Sequence, residues 1–165
     1  EAAELEPKVE ALAALLRQGE RDRDKITTPR WQAGYDLAIG RTLAVKVRTE
    51  GYNSMLALAK QGLKFKKEKS DTWELRPIDS VTVSSALAKD AEDAKKYLSR
   101  VVADHQGTPW AMDASKELQQ PLGWEWHERF TDVAGRIARA EENRNRPRPE
   151  TPEPPKKTRR DPPPL

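Results

Sequence analysis

The chain predicts an all-α fold: a helical bundle around one long central helix, with a small β-hairpin or loop insertion and a disordered, proline-rich end. Three observations lead there. Small and apolar residues recur at steps of four and three from Trp31 to Ala59, a second segment after Ser84 repeats that period, and eight of the thirteen prolines crowd into the residues after Asn143. A repeat near 3.6 residues marks the face of a helix, whereas dense proline forbids one.

Residues 1 to about 23 read as a first helix. Leu5, Val9, Leu12 and Leu16 make its stripe, and Pro7 falls where a first turn tolerates it. The charged run after Gly19 reads as a solvated exit. Thr28-Pro29 then restarts a helix, with a hydroxyl able to cap free N–H groups and a proline suited to the first helical position.

The central helix runs from Thr28 to about Ala59 and would be about 50 Å long if continuous, at 1.5 Å per residue. One stripe comprises Trp31, Tyr35, Ala38, Val45, Tyr52, Leu56 and Ala59, and a second comprises Ile39, Leu43, Val47, Met55 and Leu58. A helix that is apolar on several sides has neighbours on several sides. Trp31, Tyr35 and Tyr52 are therefore expected to pack in the core. Gly51 is the expected bend, and Gly34, Ala38, Gly40 and Ala44 would let another backbone come close.

From Leu63 to Ser80 the helical period fails. Phe65, a turn-like Lys-Ser-Asp, and the run Thr72 to Leu75 ended by Pro77 suggest a small β-hairpin or ordered loop, with Phe65, Trp73 and Leu75 turned inward. The lysines of this stretch read as either solvated surface or an anion-binding patch. Ser84 or Ser85 opens the next helix, in which Leu87, Ala91, Ala94, Leu98 and Val101 repeat at four and three, and Gly107 can supply a left-handed cap. Thr108-Pro109 starts a short helix to Leu118, stopped by Pro121-Leu122-Gly123. The expected domain is 1–130, followed by a weak helix over 131–143 and a disordered, basic, proline-rich tail over 144–165, whose composition cannot build a core.

Few residues carry chemistry. Two histidines, His105 and His127, are too few for a metal cluster, and there is no cysteine. His105 sits in a helix-ending turn and suits a capping role. Phosphate-loop, nucleophile-elbow and zinc-protease motifs are missing. No catalytic residue, cofactor or metal site is assigned, and an enzyme is not expected. Trp124, Trp126 and Phe130 form the best local candidate for protein binding; alternatively they fold back to close the last helix pair. The net charge of +3 belongs to the end of the chain, since seven Lys/Arg against three acids lie from Arg144 onward. Lys156, Lys157, Arg159 and Arg160 are thus candidate anion-binding residues. Basic charge alone gives nonspecific phosphate affinity, and without aromatic residues among those charges the pattern of a single-strand binder is incomplete, so nucleic acid is not the expected partner.

Asp93 to Leu118 resembles a tetratricopeptide-like helix pair. Ala94, Leu98 and Val101 occupy the inner face of one helix, His105 to Pro109 form the junction, and Trp110, Ala111 and Ala114 begin the partner. Over roughly residues 26–127, the stretches Thr28–Asn53, Asp71–Pro77, His105–Ala111 and Pro121–Trp126 together resemble the C-terminal region of planctomycete von Willebrand factor A domain-containing proteins, which are bacterial. That resemblance implies a larger parent with a metal-binding A domain upstream. The D-x-S-x-S metal motif has no copy here, as Asp113 to Glu117 fails at its last position, so no metal ligand carries over.

The expected function is a non-catalytic scaffold for protein partners, forming the C-terminal part of such a parent. The alternative is binding of nucleic acid or an anionic surface through the basic tail. No run is long enough to span a membrane. No targeting segment is seen, and the chain reads as an excised region whose compartment is not indicated.

Overall fold

The computed structural model describes residues 2–146 and is mainly helical. The chain divides into two compact units, Glu1–Thr131 and Asp132–Leu165. In the first unit the order is α1 (Ala2–Gln18), a 3₁₀ segment (Gly19–Lys25), α2 (Pro29–Lys60), β1 (Thr72–Ile78), α3 (Ser85–Asp104), α4 (Pro109–Leu118) and β2 (Gly123–Arg129). The described part of the second unit is α5 (Val133–Asn145), capped by the Asp132 carboxylate, which accepts from Gly135 N–H at 3.2 Å.

α2 is the axis of the first unit, and α1, α3, α4 and β2 all pack against it. Its buried side is most of the second sequence stripe: Ile39, Leu43 and Val47 are fully buried and Met55 nearly so, whereas Leu58 at its end is 46% exposed. The first stripe is not core. Trp31 is 64% exposed, Val45 is 40% exposed and Ala38 faces solvent, while Tyr35, Tyr52 and Leu56 are half-buried. Gly40, where a Cβ would lie 2.8 Å from Leu98 of α3, and Ala44, clustered with Ala13 of α1, let both helices come close to the Ile39–Leu43–Val47 side.

α2 continues through Gly51 as helix to Lys60. A Cβ on Gly51 would lie 3.3 Å from Trp124 Cδ1, so its missing side chain makes room for that indole. Thr28 is the N-cap of α2 in extended conformation, with Pro29 following it, but its hydroxyl makes no capping bond; its carbonyl accepts from Gln32 N–H at 3.1 Å. Ser84 and Thr108 do cap with their hydroxyls, accepting from Leu87 N–H at 3.1 Å and Ala111 N–H at 3.3 Å. Gly107 takes φ +74° at the end of α3.

The β insertion is not a hairpin. β1 pairs antiparallel with β2, from Thr72 opposite Arg129 to Ile78 opposite Gly123. The run Thr72–Leu75 shows strand character locally, but its partner lies beyond two helices, where periodicity cannot find it. Trp73, Leu75 and Pro77 share a face with Trp124, Trp126 and Glu128, because side chains alternate along each strand. The first helix ends at Gln18, and the solvated exit is instead the 3₁₀ segment. The helix expected over 131–143 extends to Asn145, two residues into the stretch expected to be disordered; residues 147–165 lie outside the described part.

Candidate interaction face

The open side of α2 is built by default: α3 takes its buried face, α1 and α4 take its flanks, and the remaining strip looks outward. Trp31, Ala38, Arg41 and Val45 lie on this strip at helical spacing. On one flank a groove of about 160 Å³ is lined by Val9 and Leu12 of α1 and by Arg41, Thr42 and Val45 of α2. On the other, about 200 Å³ lies between Arg41 and Asp113, Lys116, Glu117 and Gln120.

α1 explains why the first groove is apolar. Its inward edge is Val9, Ala13 and Leu16, with Ala13 buried, but Leu5, Leu12 and Leu15 stay 49%, 47% and 63% exposed. The helix thus carries more leucine than its own packing uses. Scattered apolar side chains on a surface are ordinary; a contiguous set around a groove marks a contact site. At the start of α2, Arg30 lies 6.0 Å from the ring centre of Trp31 and 5.8 Å from that of Trp110, so a cation fills the space between two indoles.

Three ionic clusters pin the helices around this face. Asp36 is fully buried and takes Arg23 at 2.7 Å and Arg100 at 3.5 Å, tying the 3₁₀ segment and α3 to α2. Tyr97 donates to Glu20 beside it, and burial first, then that bond, raises the phenol's pKa well above its ordinary value. Lys46 reaches Glu10 at 2.7 Å, Asp90 at 2.9 Å and Glu50 at 3.8 Å. Burial would lower its pKa, but the carboxylates outweigh burial and hold the ammonium at about 12. Glu50 moves upward, chiefly through burial and against the pull of Lys46. The cleft of about 510 Å³ at this cluster is lined by Glu6, Pro7, Glu10, Lys46 and Glu50, and its lysine is held in the ammonium form by the carboxylates around it. Arg48 joins Glu117 and donates to the Pro121 carbonyl at 3.1 Å, securing the end of α4.

The predicted aromatic trio differs in exposure from member to member. The Trp124 indole donates to the Arg48 carbonyl and the Trp126 indole to the Met55 carbonyl, each at 3.0 Å, and Trp124 meets Tyr52 edge-on at 5.4 Å. Both are half-buried against α2, whereas Phe130 is 63% exposed. Lys156, Lys157, Arg159 and Arg160 lie outside the described residues. The His105 carbonyl accepts from the Thr108 hydroxyl at 2.6 Å, and His127 pairs with Glu125 at 3.0 Å. Among the described residues no group of three or more His, Cys, Asp or Glu is arranged to hold a metal, and no helix is long and apolar enough to cross a membrane.

Asp36 was missed by the sequence reading, although a signal was present. It lies three residues before Ile39 on the buried stripe, where a carboxylate can persist only with cations brought to it. No protein-family model, curated protein or solved structure matches the chain.

Proposed function

We propose that the chain is a non-catalytic helical scaffold whose open α2 face, with the adjoining edge of α1, receives a protein partner. The observation that carries this reading is the apolar groove lined by Val9, Leu12 and Val45, of which Leu12 and Val45 are exposed, with further exposed apolar side chains on the same two helices at Leu5, Leu15 and Trp31. Helices fixed by buried ion pairs offer a preformed surface, which lowers the ordering cost of association. The α3–α4 pair, joined through the His105–Thr108 turn, supports the tetratricopeptide-like part of the reading. The likeness of residues 26–127 to the C-terminal region of A-domain proteins supports a larger parent.

The test places a photo-crosslinking residue at Val45 in cells that make the native parent, with Lys96 on the exposed side of α3 as control. Discrete protein adducts are expected at position 45, with few at 96 and loss on adding Leu12→Glu. Equal adducts at both positions, or adducts indifferent to Leu12→Glu, would refute the proposal.

A further inference from the structure

The loop between α2 and β1 gathers the combination that the basic tail lacks. Lys64, Lys66, Lys67 and Lys69 are all exposed, and none makes an ion pair within 4 Å among the described residues. Phe65 stands among them with its ring stacked on Trp73, centroids 5.1 Å apart and planes within 9°. It remains 43% exposed. With one ring face taken by Trp73, what stays open is the other face and the edge.

This loop is held in place. The Glu128 carboxylate accepts from the Lys66 and Lys67 N–H groups at 2.8 and 2.9 Å, and Ser70 N–H closes a turn onto the Lys67 carbonyl at 3.0 Å. The Lys66 N–H is the main reason, ahead of an opposing burial effect and the Lys67 N–H, that this carboxyl sits below its ordinary pKa. Glu128 therefore spends its charge on the loop backbone. Asp71 accepts from Thr131 N–H at 2.7 Å, and Glu74 is taken by Arg76 and Arg129, which leaves Glu68 as the one acid within the run of lysines.

We propose that residues 64–69 form a contact for single-stranded nucleic acid, in which the lysines engage phosphates and the open face of Phe65 extends its stack with a base. Cations along a backbone path with an aromatic platform between them are what sequence-tolerant single-strand binding requires. A duplex keeps its base faces covered and gains nothing from Phe65. This inference is independent of the α2 face and of the tail.

The experiment uses the full chain and a fluorescein-labelled 15-mer of thymidine, followed by anisotropy between about 50 and 200 mM salt. Four phosphate contacts give a log–log salt slope near −3, at about −0.7 per contact. Replacing all four lysines by Gln should weaken binding at least tenfold and remove most of that slope, with the helical circular dichroism unchanged. Phe65→Leu, which keeps apolar cover on Trp73, should weaken single-strand binding by about fivefold or more with the slope intact, from the usual worth of one stacked base. Phe65→Trp should restore it, and a duplex of equal length should be indifferent to both Phe65 changes. Unaltered affinity in the lysine variant, no response to Phe65→Leu, or retention by phosphatidylserine vesicles with none by the oligonucleotide would each overturn the proposal.

Discussion

Replacing Asp36 by Ala should be among the most damaging single changes in the first unit. The carboxylate is fully buried and receives two bonds from Arg23, Nε at 3.3 Å and Nη2 at 2.7 Å, plus the nearby guanidinium of Arg100. Removing one partner of a buried pair usually costs about 3–5 kcal/mol, because the other charge is stranded. Here the arginine side chains are 14% and 27% exposed, so both can turn partly to water. About 2–4 kcal/mol is then expected. Urea unfolding followed at 222 nm should show a midpoint lowered by roughly 1–2 M, given slopes of about 2 kcal/mol per M for chains of this size. Arg23→Ala and the double variant complete a cycle whose coupling should be about 1.5–3 kcal/mol, the range for a charged hydrogen bond. Hydrogen exchange should show residues 19–25 losing protection first. A loss below about 1 kcal/mol, with exchange in 19–25 unchanged, would mean that the pair does not anchor this segment.

Other outcomes follow from the same contacts. Lys46 has a folded pKa near 12 against 10.5, so its contribution is complete below 10.5 and is lost as pH rises through 12. That amounts to about 2 kcal/mol; the stability difference between wild type and Lys46→Met should shrink across this window, and a flat difference would refute it. Gly123→Ala should destabilise by about 2 kcal/mol or more, measured by thermal unfolding, because its Cβ would sit 1.8 Å from the Ser80 carbonyl oxygen and only backbone can move. Trp126→Phe should cost about 1 kcal/mol in urea unfolding through the lost indole bond to Met55; no change would show that the bond adds nothing.

The helices were legible in the sequence because their signals are local. Capping by Ser84 and Thr108, the Pro29 start and the Leu87–Val101 stripe all act within a few residues, and each marks an observed element. What was not legible depends on distance along the chain. Two apolar stripes on α2 could not be ranked without knowing that small residues at 40 and 44 would draw α3 and α1 to one of them, leaving Trp31 outside. The strand partner of Thr72–Ile78 lay beyond α4, so a local hairpin was the nearer reading. Arg23 stood in a run of alternating charges that looked solvated, and its burial against Asp36 depends on the turn of the 3₁₀ segment. The candidate face is harder still to read, since it consists of apolar residues left over after packing.

The pairing of Ile78 with Gly123 places the departure and return of the intervening chain side by side. A protease cutting at Gln106-Gly107 would therefore yield two pieces, one ending in α3 and carrying β1, the other beginning near α4 and carrying β2. Trp124 and Trp126 of the second piece rest on α2 of the first, and β1 and β2 belong to different pieces, so each holds a surface that clasps the other. Nicked protein should stay whole on a sizing column, and separately made halves should find one another on mixing.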